Sequence, residues 1–341
     1  MTRICVLILS GACFAAVAFC ADGDQALLNQ AKQVLGPLPT AMVSEKNPIT
    51  ADKVGLGKML FYENRISADG TVSCARCHPI SLYAADGLRT SIGDSCKAVP
   101  RNAPTIFNAA SQVGEHWTGS RADVEDQAKE AVTVRVISGM PSYDAVKKGL
   151  GKIAGYGPLF EKAFPGDKDP VNIDNYALAV GAFERTLVTP SAFDAFMNGN
   201  EAALTDPQKA GLKTFLETGC SGCHSSAYVG GQMYQKFGVA EPYWQYTKSK
   251  NIDEGRYEVT KNESDKYVFK VPVLRNVEMT CPYFNDGSVD SLHTAVWIMG
   301  KVQLGKNLTD QETGGIVVFL KTLTGEIPED AIKVPILPPS R

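Results

Sequence analysis

The sequence predicts a mainly α-helical protein built as two similar halves in tandem, with long loops and little strand. Two observations carry that reading. A Cys-x-x-Cys-His motif occurs once in each half, as Cys74-Ala75-Arg76-Cys77-His78 and as Cys220-Ser221-Gly222-Cys223-His224. Around both copies, apolar residues recur at helical spacing behind recognisable helix starts. A motif that repeats with its helical surroundings points to an internal duplication of one small helical unit.

Taken in order, Thr50 precedes a helix through Val54, Met59 and Leu60 that stops near Asn64, just before the first motif. Tyr176, Val180, Phe183 and Leu187 share one helical face, and Pro190 ends that run. Thr205-Asp206-Pro207-Gln208 has the form of a capping box with proline in the first turn, opening a helix through Leu212, Phe215 and Leu216 towards Cys220. Thr309-Asp310-Gln311-Glu312 repeats the device ahead of Ile316, Phe319, Leu320 and Leu323. Strand is expected only as a hairpin of 257–259 with 267–269. Loops containing Gly, Pro and Asn cover 87–104, 229–257 and 280–291, lengths that in a compact domain usually serve function. Val334 to Pro339 reads as an extended tail on the surface.

A chain of 341 residues, 44% hydrophobic and 21% charged, has room for two ordinary globular domains. The formal net charge of −3 excludes an electrostatic nucleic-acid binder. Arg3, an apolar stretch to about Ala21 and the polar start at Asp22 describe a secretory signal peptide over 1–21. The domains are then 22–188 and 189–325, with 326–341 returning to the first.

Two cysteines separated by two residues, with a histidine directly after, are what covalent haem attachment needs: two thioether bonds to the porphyrin edge and an imidazole under the iron. A redox dithiol or a shared four-cysteine zinc site uses the cysteines alone. Neither requires a histidine after each pair, yet two of the four histidines in the chain stand there. Two covalently bound haem c groups are expected, with Cys74, Cys77 and His78 holding one and Cys220, Cys223 and His224 the other. Covalent attachment to this motif occurs outside the bacterial cytoplasm, so the expected location is the periplasm. Of the remaining cysteines, Cys96 and Cys281 either pair or stay as free thiols. A methionine opposite the imidazole would raise the potential of the second iron, and Met233, Met279 and Met299 are equal candidates on spacing.

The stretches Gly57-Lys58-Met59-Leu60-Phe61, Pro100-Arg101-Asn102-Ala103-Pro104-Thr105, Thr186-Leu187-Val188-Thr189-Pro190, Ser264-Asp265-Lys266-Tyr267, Leu274-Arg275-Asn276 and Pro282-Tyr283-Phe284 occur in the order seen in bacterial dihaem cytochrome c peroxidases. The chain resembles that family, relatives of the MauG-type enzymes, from about residue 30 to 325. The resemblance implies two cytochrome c-like haem domains and the reduction of hydrogen peroxide to water at the first haem. Electrons would enter at the second haem from a small cytochrome c or a cupredoxin. It also implies Met299 as distal ligand of the second iron, where MauG-type relatives have Tyr, and Trp117 as the residue between the haems. A calcium ion would be held by the Asn102 side chain and the carbonyls of Thr280 and Pro282, hard oxygen ligands of the kind that cation takes. Relatives are often homodimers.

Three positions depart from the family's pattern. Asp94 stands where a mobile loop brings a histidine to the first iron, so that iron is expected to be open when oxidised, with no histidine to release. Gln127 matches a glutamine of the peroxide site, but Ile137 takes the place of its glutamate and cannot carry a proton. Asn285 replaces a histidine. His116, directly before Trp117, is then a candidate to take over from the glutamate or to bind the iron; the alternative is an ordinary loop histidine. Glu115, Glu130 and Cys96 are further candidates, and His293 reads as a helix-surface residue. The rival function is a dihaem electron-transfer or redox-sensing protein, or an enzyme oxidising a partner protein, without efficient peroxide turnover.

Overall fold

The side chains read as helix caps stand at helix starts. The structure, a computed structural model, describes residues 23–340, so the leader expected at 1–21 lies outside the described residues. The first half contains α1 (23–32), α2 (Ala51–Phe61), α3 (Cys74–Cys77), α4 (Val124–Ala131), α5 (Tyr143–Gly151), α6 (Tyr156–Ala163) and α7 (Ile173–Glu184). The second contains α8 (Ala192–Met197), α9 (Asp206–Thr218), α10 (Trp244–Thr247), α11 (Tyr257–Thr260), α12 (Leu292–Leu304), α13 (Asp310–Lys321) and α14 (Glu329–Ile332). Thr50 Oγ1 accepts from Lys53 N at the start of α2, and Thr205 and Thr309 open α9 and α13 with complete capping boxes.

Each half is organised on one close helix pair. Gly57 of α2 meets α7 so tightly that a Cβ there would lie 1.8 Å from Ala179 O. In the second half Gly211 of α9 meets α13 in the same way, its Cβ position 2.1 Å from Gly315 O. Leu56, Leu60, Val146, Phe160 and Val180 fill the first core. Phe193, Phe215 and Phe319 centre the second, with ring centroids of Phe215 and Phe319 5.1 Å apart. Segments near both ends of the described residues cross between the two halves. Leu28 and Ala31 of α1 belong to the second core, Ala331 of α14 belongs to a cluster with Phe61 and Phe183, and the tail carbonyl of Pro338 accepts from Arg65 at 2.9 Å.

Two local expectations are corrected. The strand Val268–Lys270 (β2) pairs antiparallel with Tyr234–Lys236 (β1), Gln235 opposite Phe269, and not with 257–259. Residues 257–260 instead coil into α11, leaving a single bridge between Gly255 and Val268. The helix carrying Tyr176 stops at Glu184, before Leu187, because Asn108 takes the chain over: its N–H donates to Leu187 O at 2.9 Å and its side-chain oxygen accepts from Thr189 N at 3.0 Å. No helix among the described residues is long and apolar enough to cross a membrane.

Candidate active site

Protein interiors pack to crystal density, so a large internal void needs an occupant. Two cavities here span about 1660 and 1680 Å³ of non-atom space, open mouths included, and each is lined by one of the motifs. In the first, α3 is a single turn begun at Ser73, and His78 N donates back to Cys74 O at 2.9 Å, so both thiols and the imidazole face one space. His78 Nδ1 lies 3.1 Å from Ala84 O. A carbonyl acceptor there assigns the proton to Nδ1 and leaves the Nε2 lone pair for iron. Burial pushes the His78 pKa down, which favours that neutral form.

The second motif follows α9 through Gly219, whose φ of 97° lets the chain reverse into the turn at Cys220–Gly222. His224 N donates to Cys220 O at 3.0 Å. The ring is buried and its pKa falls to about 4, burial outweighing the carbonyls of Val229 and Pro272. Its Nδ1 has no partner at hydrogen-bond geometry. Met299 of α12 lines the same cavity, whereas Met233 and Met279 do not. Paired thiols, a neutral imidazole and apolar walls fit a tethered porphyrin in both places.

The cavities share a wall that includes Asn102, Pro104, Gln112, His116, Trp117 and Lys270. Trp117 Nε1 donates to Asn102 O at 2.9 Å, and Trp117 O accepts from Lys270 N at 2.8 Å, so side chain and backbone pin the residue between the two spaces from both halves. The match to the di-haem cytochrome c peroxidase family model spans residues 51–202. Over 319 residues the chain is 42% identical to the cytochrome c551 peroxidase of Pseudomonas aeruginosa, covering 92% of this chain and 90% of that protein.

The chain belongs to the di-haem cytochrome c peroxidase family. As a member it carries two haem c groups. It is also 32% identical over 342 residues to the methylamine utilization protein MauG of Methylorubrum extorquens, covering 95% of this chain and 94% of that one. The crystal structure of a MauG-like protein associated with microbial copper homeostasis aligns with a TM-score of 0.76 at 25% identity, over 87% of this chain and 97% of that one.

Against that family pattern, the first cavity is unusual. Asp94 does not line it. Its carboxylate accepts from Asp69 N at 3.2 Å and from Ser95 Oγ at 2.8 Å, and its own N–H donates to Ile137 O at 2.8 Å. The loop that would carry a histidine to the iron is thus fastened against the turns at 69 and 137. Cys96 on it is exposed and does not line the cavity. Gln127, Glu130 and Ile137 do line the cavity, Glu130 with an ion pair to Arg121 at 2.8 Å. His116 lines both cavities with φ 64°, its Nδ1 2.8 Å from Ser120 Oγ. Burial and the cations Lys270 and Arg121 lower its pKa to about 4.

Asn102, Thr280 and Pro282 all line the second cavity, and Asn102 N donates to Asn285 O at 2.8 Å. Asn285 is buried, donates to Asp253 at 2.9 Å, and leaves its Oδ1 without a partner; Asp253 in turn holds Arg101. No group of three His, Cys, Asp or Glu side chains among the described residues is placed to hold a metal, so a cation here would rely on amide and carbonyl oxygens. Cys96 and Cys281 are free thiols, and Cys281 donates to Asp290 O. His293 is on the exposed start of α12, 3.2 Å from Asp310. Glu115, a further candidate from the sequence, is buried beside Lys270, which no motif announced; only the fold brings the two together.

Proposed function

We propose that the protein reduces hydrogen peroxide to water at the His78 haem, with electrons entering at the His224/Met299 haem from a small cytochrome c or cupredoxin in the periplasm. The observation that carries this reading is the shared wall: two motif-lined cavities separated by one pinned tryptophan. The haems supply the electrons and the iron to which peroxide binds. The chain does the rest. His78 and His224 ligate, Met299 keeps its iron easy to reduce and hard to oxidise, and the Gln127 amide offers a dipole to the bound peroxide. Trp117 provides the conduit, and His116 a neutral imidazole that hydrogen-bonds the substrate.

The fastened Asp94 loop supports a first iron that is open from the outset, without reductive release of a ligand. The rival reading, electron transfer or partner oxidation without peroxide turnover, rests on Ile137. Steady-state peroxide consumption with a reduced cytochrome decides between them: turnover on the order of 1 s⁻¹ or faster, the range of working enzymes, supports the peroxidase. Bleaching with no turnover supports the rival.

The domains divide near Val188, the calcium site consists of Asn102, Thr280 and Pro282, and the assembly is a homodimer. Because Asn102, whose carbonyl accepts from Trp117 Nε1, is one of these residues, chelating calcium is expected to slow electron transfer between the haems while leaving both attached. Readdition of calcium should restore it, as followed by the rate at which the first haem responds to reduction of the second.

A further inference from the structure

The second cavity is walled partly by aromatic rings, and the rings continue behind its wall. Phe237 and Phe284 both line it, with centroids 5.0 Å apart. Behind Phe237 lies Tyr243, stacked on it at 4.4 Å with ring planes 10° apart and only 1% exposed. Tyr243 meets Trp244 edge-on at 5.2 Å, and Trp244 meets Tyr267 at 5.0 Å. Trp244 is half-buried, so a series of touching rings that starts at the cavity ends where water reaches it. Stacked and edge-on contacts are what any aromatic cluster prefers. The course of this one, from cavity to surface, gives it a second use.

We propose that the series drains oxidising equivalents from the second haem to Trp244 when no donor is at hand, so that this indole is oxidised and the porphyrins are spared. This rests on the peroxidase reading above. Peroxide takes two electrons from the haem pair and, with two protons, becomes two waters. Without a reduced cytochrome, Trp244 returns those two electrons by way of Tyr243 and Phe237. The indole then takes one oxygen from a water molecule and releases two protons. In sum, one peroxide and one tryptophan give one oxygenated tryptophan and one water. Tyrosine and tryptophan yield electrons only to a strong oxidant, so the series stays idle while the donor keeps the haems supplied.

The surroundings of each ring select Trp244 as the end point. An oxidised tyrosine persists only if its hydroxyl proton can leave, and the Tyr243 hydroxyl is held by backbone: it donates to Asp253 O at 3.3 Å and accepts from Asp253 N at 3.0 Å. Neither group takes up a proton, and burial pushes the Tyr243 pKa up to about 12, so the electron vacancy passes this ring and does not stay on it. Lys236 stands over the Tyr267 ring at 6.0 Å, and Lys301 over Trp297 at 5.6 Å. A cation facing a ring opposes the positive charge that oxidation places there. Trp297 is therefore a poor end point although it is 36% exposed.

The test treats the oxidised holoprotein with one equivalent of hydrogen peroxide in ¹⁸O-enriched water, with dioxygen excluded and no donor, and reads its peptides by mass spectrometry. Trp244 is expected to gain one ¹⁸O, because its oxygen comes from water. Met279 is exposed, and where peroxide oxidises it directly it takes the unlabelled peroxide oxygen, which makes it the internal control. An excess of reduced cytochrome should suppress the label at Trp244. Tyr243→Phe keeps the stack but removes the oxidisable ring, and should lose most of that label. Trp244→Phe should bleach its haems several-fold faster under repeated peroxide, while its donor-supported turnover stays that of the wild type. Unlabelled oxygen at Trp244, label found mainly on Trp117 or Trp297, or a Trp244→Phe protein that bleaches no faster, overturns the assignment and leaves the peroxidase reading intact. No donor-supported turnover in the wild type overturns both.

Discussion

Met299→His is expected to lower the reduction potential of the second haem by about 200 mV or more, within the roughly 0.8 V span that axial ligands command. Thioether sulfur stabilises Fe(II) relative to imidazole, and Met299 is the methionine of the three candidates that lines the His224 cavity. The donor would then face an uphill transfer, and turnover with a reduced cytochrome should fall by a factor of ~10² or more, while a strong artificial reductant should still drive peroxide consumption. Potentiometric titration followed at the haem bands checks the first part, and the donor comparison checks the second. An unchanged potential would mean that another group binds the iron.

The second large effect concerns the first motif. In Cys74→Ala/Cys77→Ala, the His78 cavity loses its covalent guest, and the space lined by Leu60, Val72 and Val132 fills with water or collapses. The expected product holds one haem per chain, retains the spectrum of the second, accepts electrons from the donor and consumes no peroxide. It should also melt well below the wild type, because the cavity loses the packing and the His78 ligation that the tethered haem supplies. Haem content by alkaline pyridine spectrum and the melting curve measure both. Retained peroxide turnover in a one-haem variant would contradict the division of labour between the two cavities.

What the sequence made legible, and what it hid, follows from the range of the interactions involved. Caps are local, so Thr50, Thr205 and Thr309 marked helix starts within a residue. The motifs are local too, and the fold places both as the single turns that attachment needs. The pairing of β2 with β1 spans a loop of some thirty residues, and no local pattern distinguishes Tyr234–Lys236 from 257–259 as its partner. Spacing left Met233, Met279 and Met299 equal on their own terms, since the choice depends on which side chain the long 280–291 loop and α12 bring back over His224. Asp94 is the sharpest case. Its place in the chain implied a missing iron ligand but not what the side chain does instead, and its hydrogen bonds with Asp69 and Ser95 make it a fastening for the loop. Lys270 and Glu115 meet across some hundred and fifty residues of sequence, a contact that becomes visible only when both halves are folded.

The central claim is that two tethered haems divide the work, one taking electrons and the other left open to peroxide by a loop that carries no histidine. Mixing the half-reduced holoprotein with one equivalent of hydrogen peroxide, while recording both haem spectra and the peroxide remaining, tests it most directly. The account predicts two haems per chain, an oxidised first iron with no second histidine ligand, consumption of the equivalent within the mixing experiment, and reoxidation of the His224/Met299 haem. A bis-histidine spectrum at the first iron, or peroxide that persists while the second haem stays reduced, would contradict it.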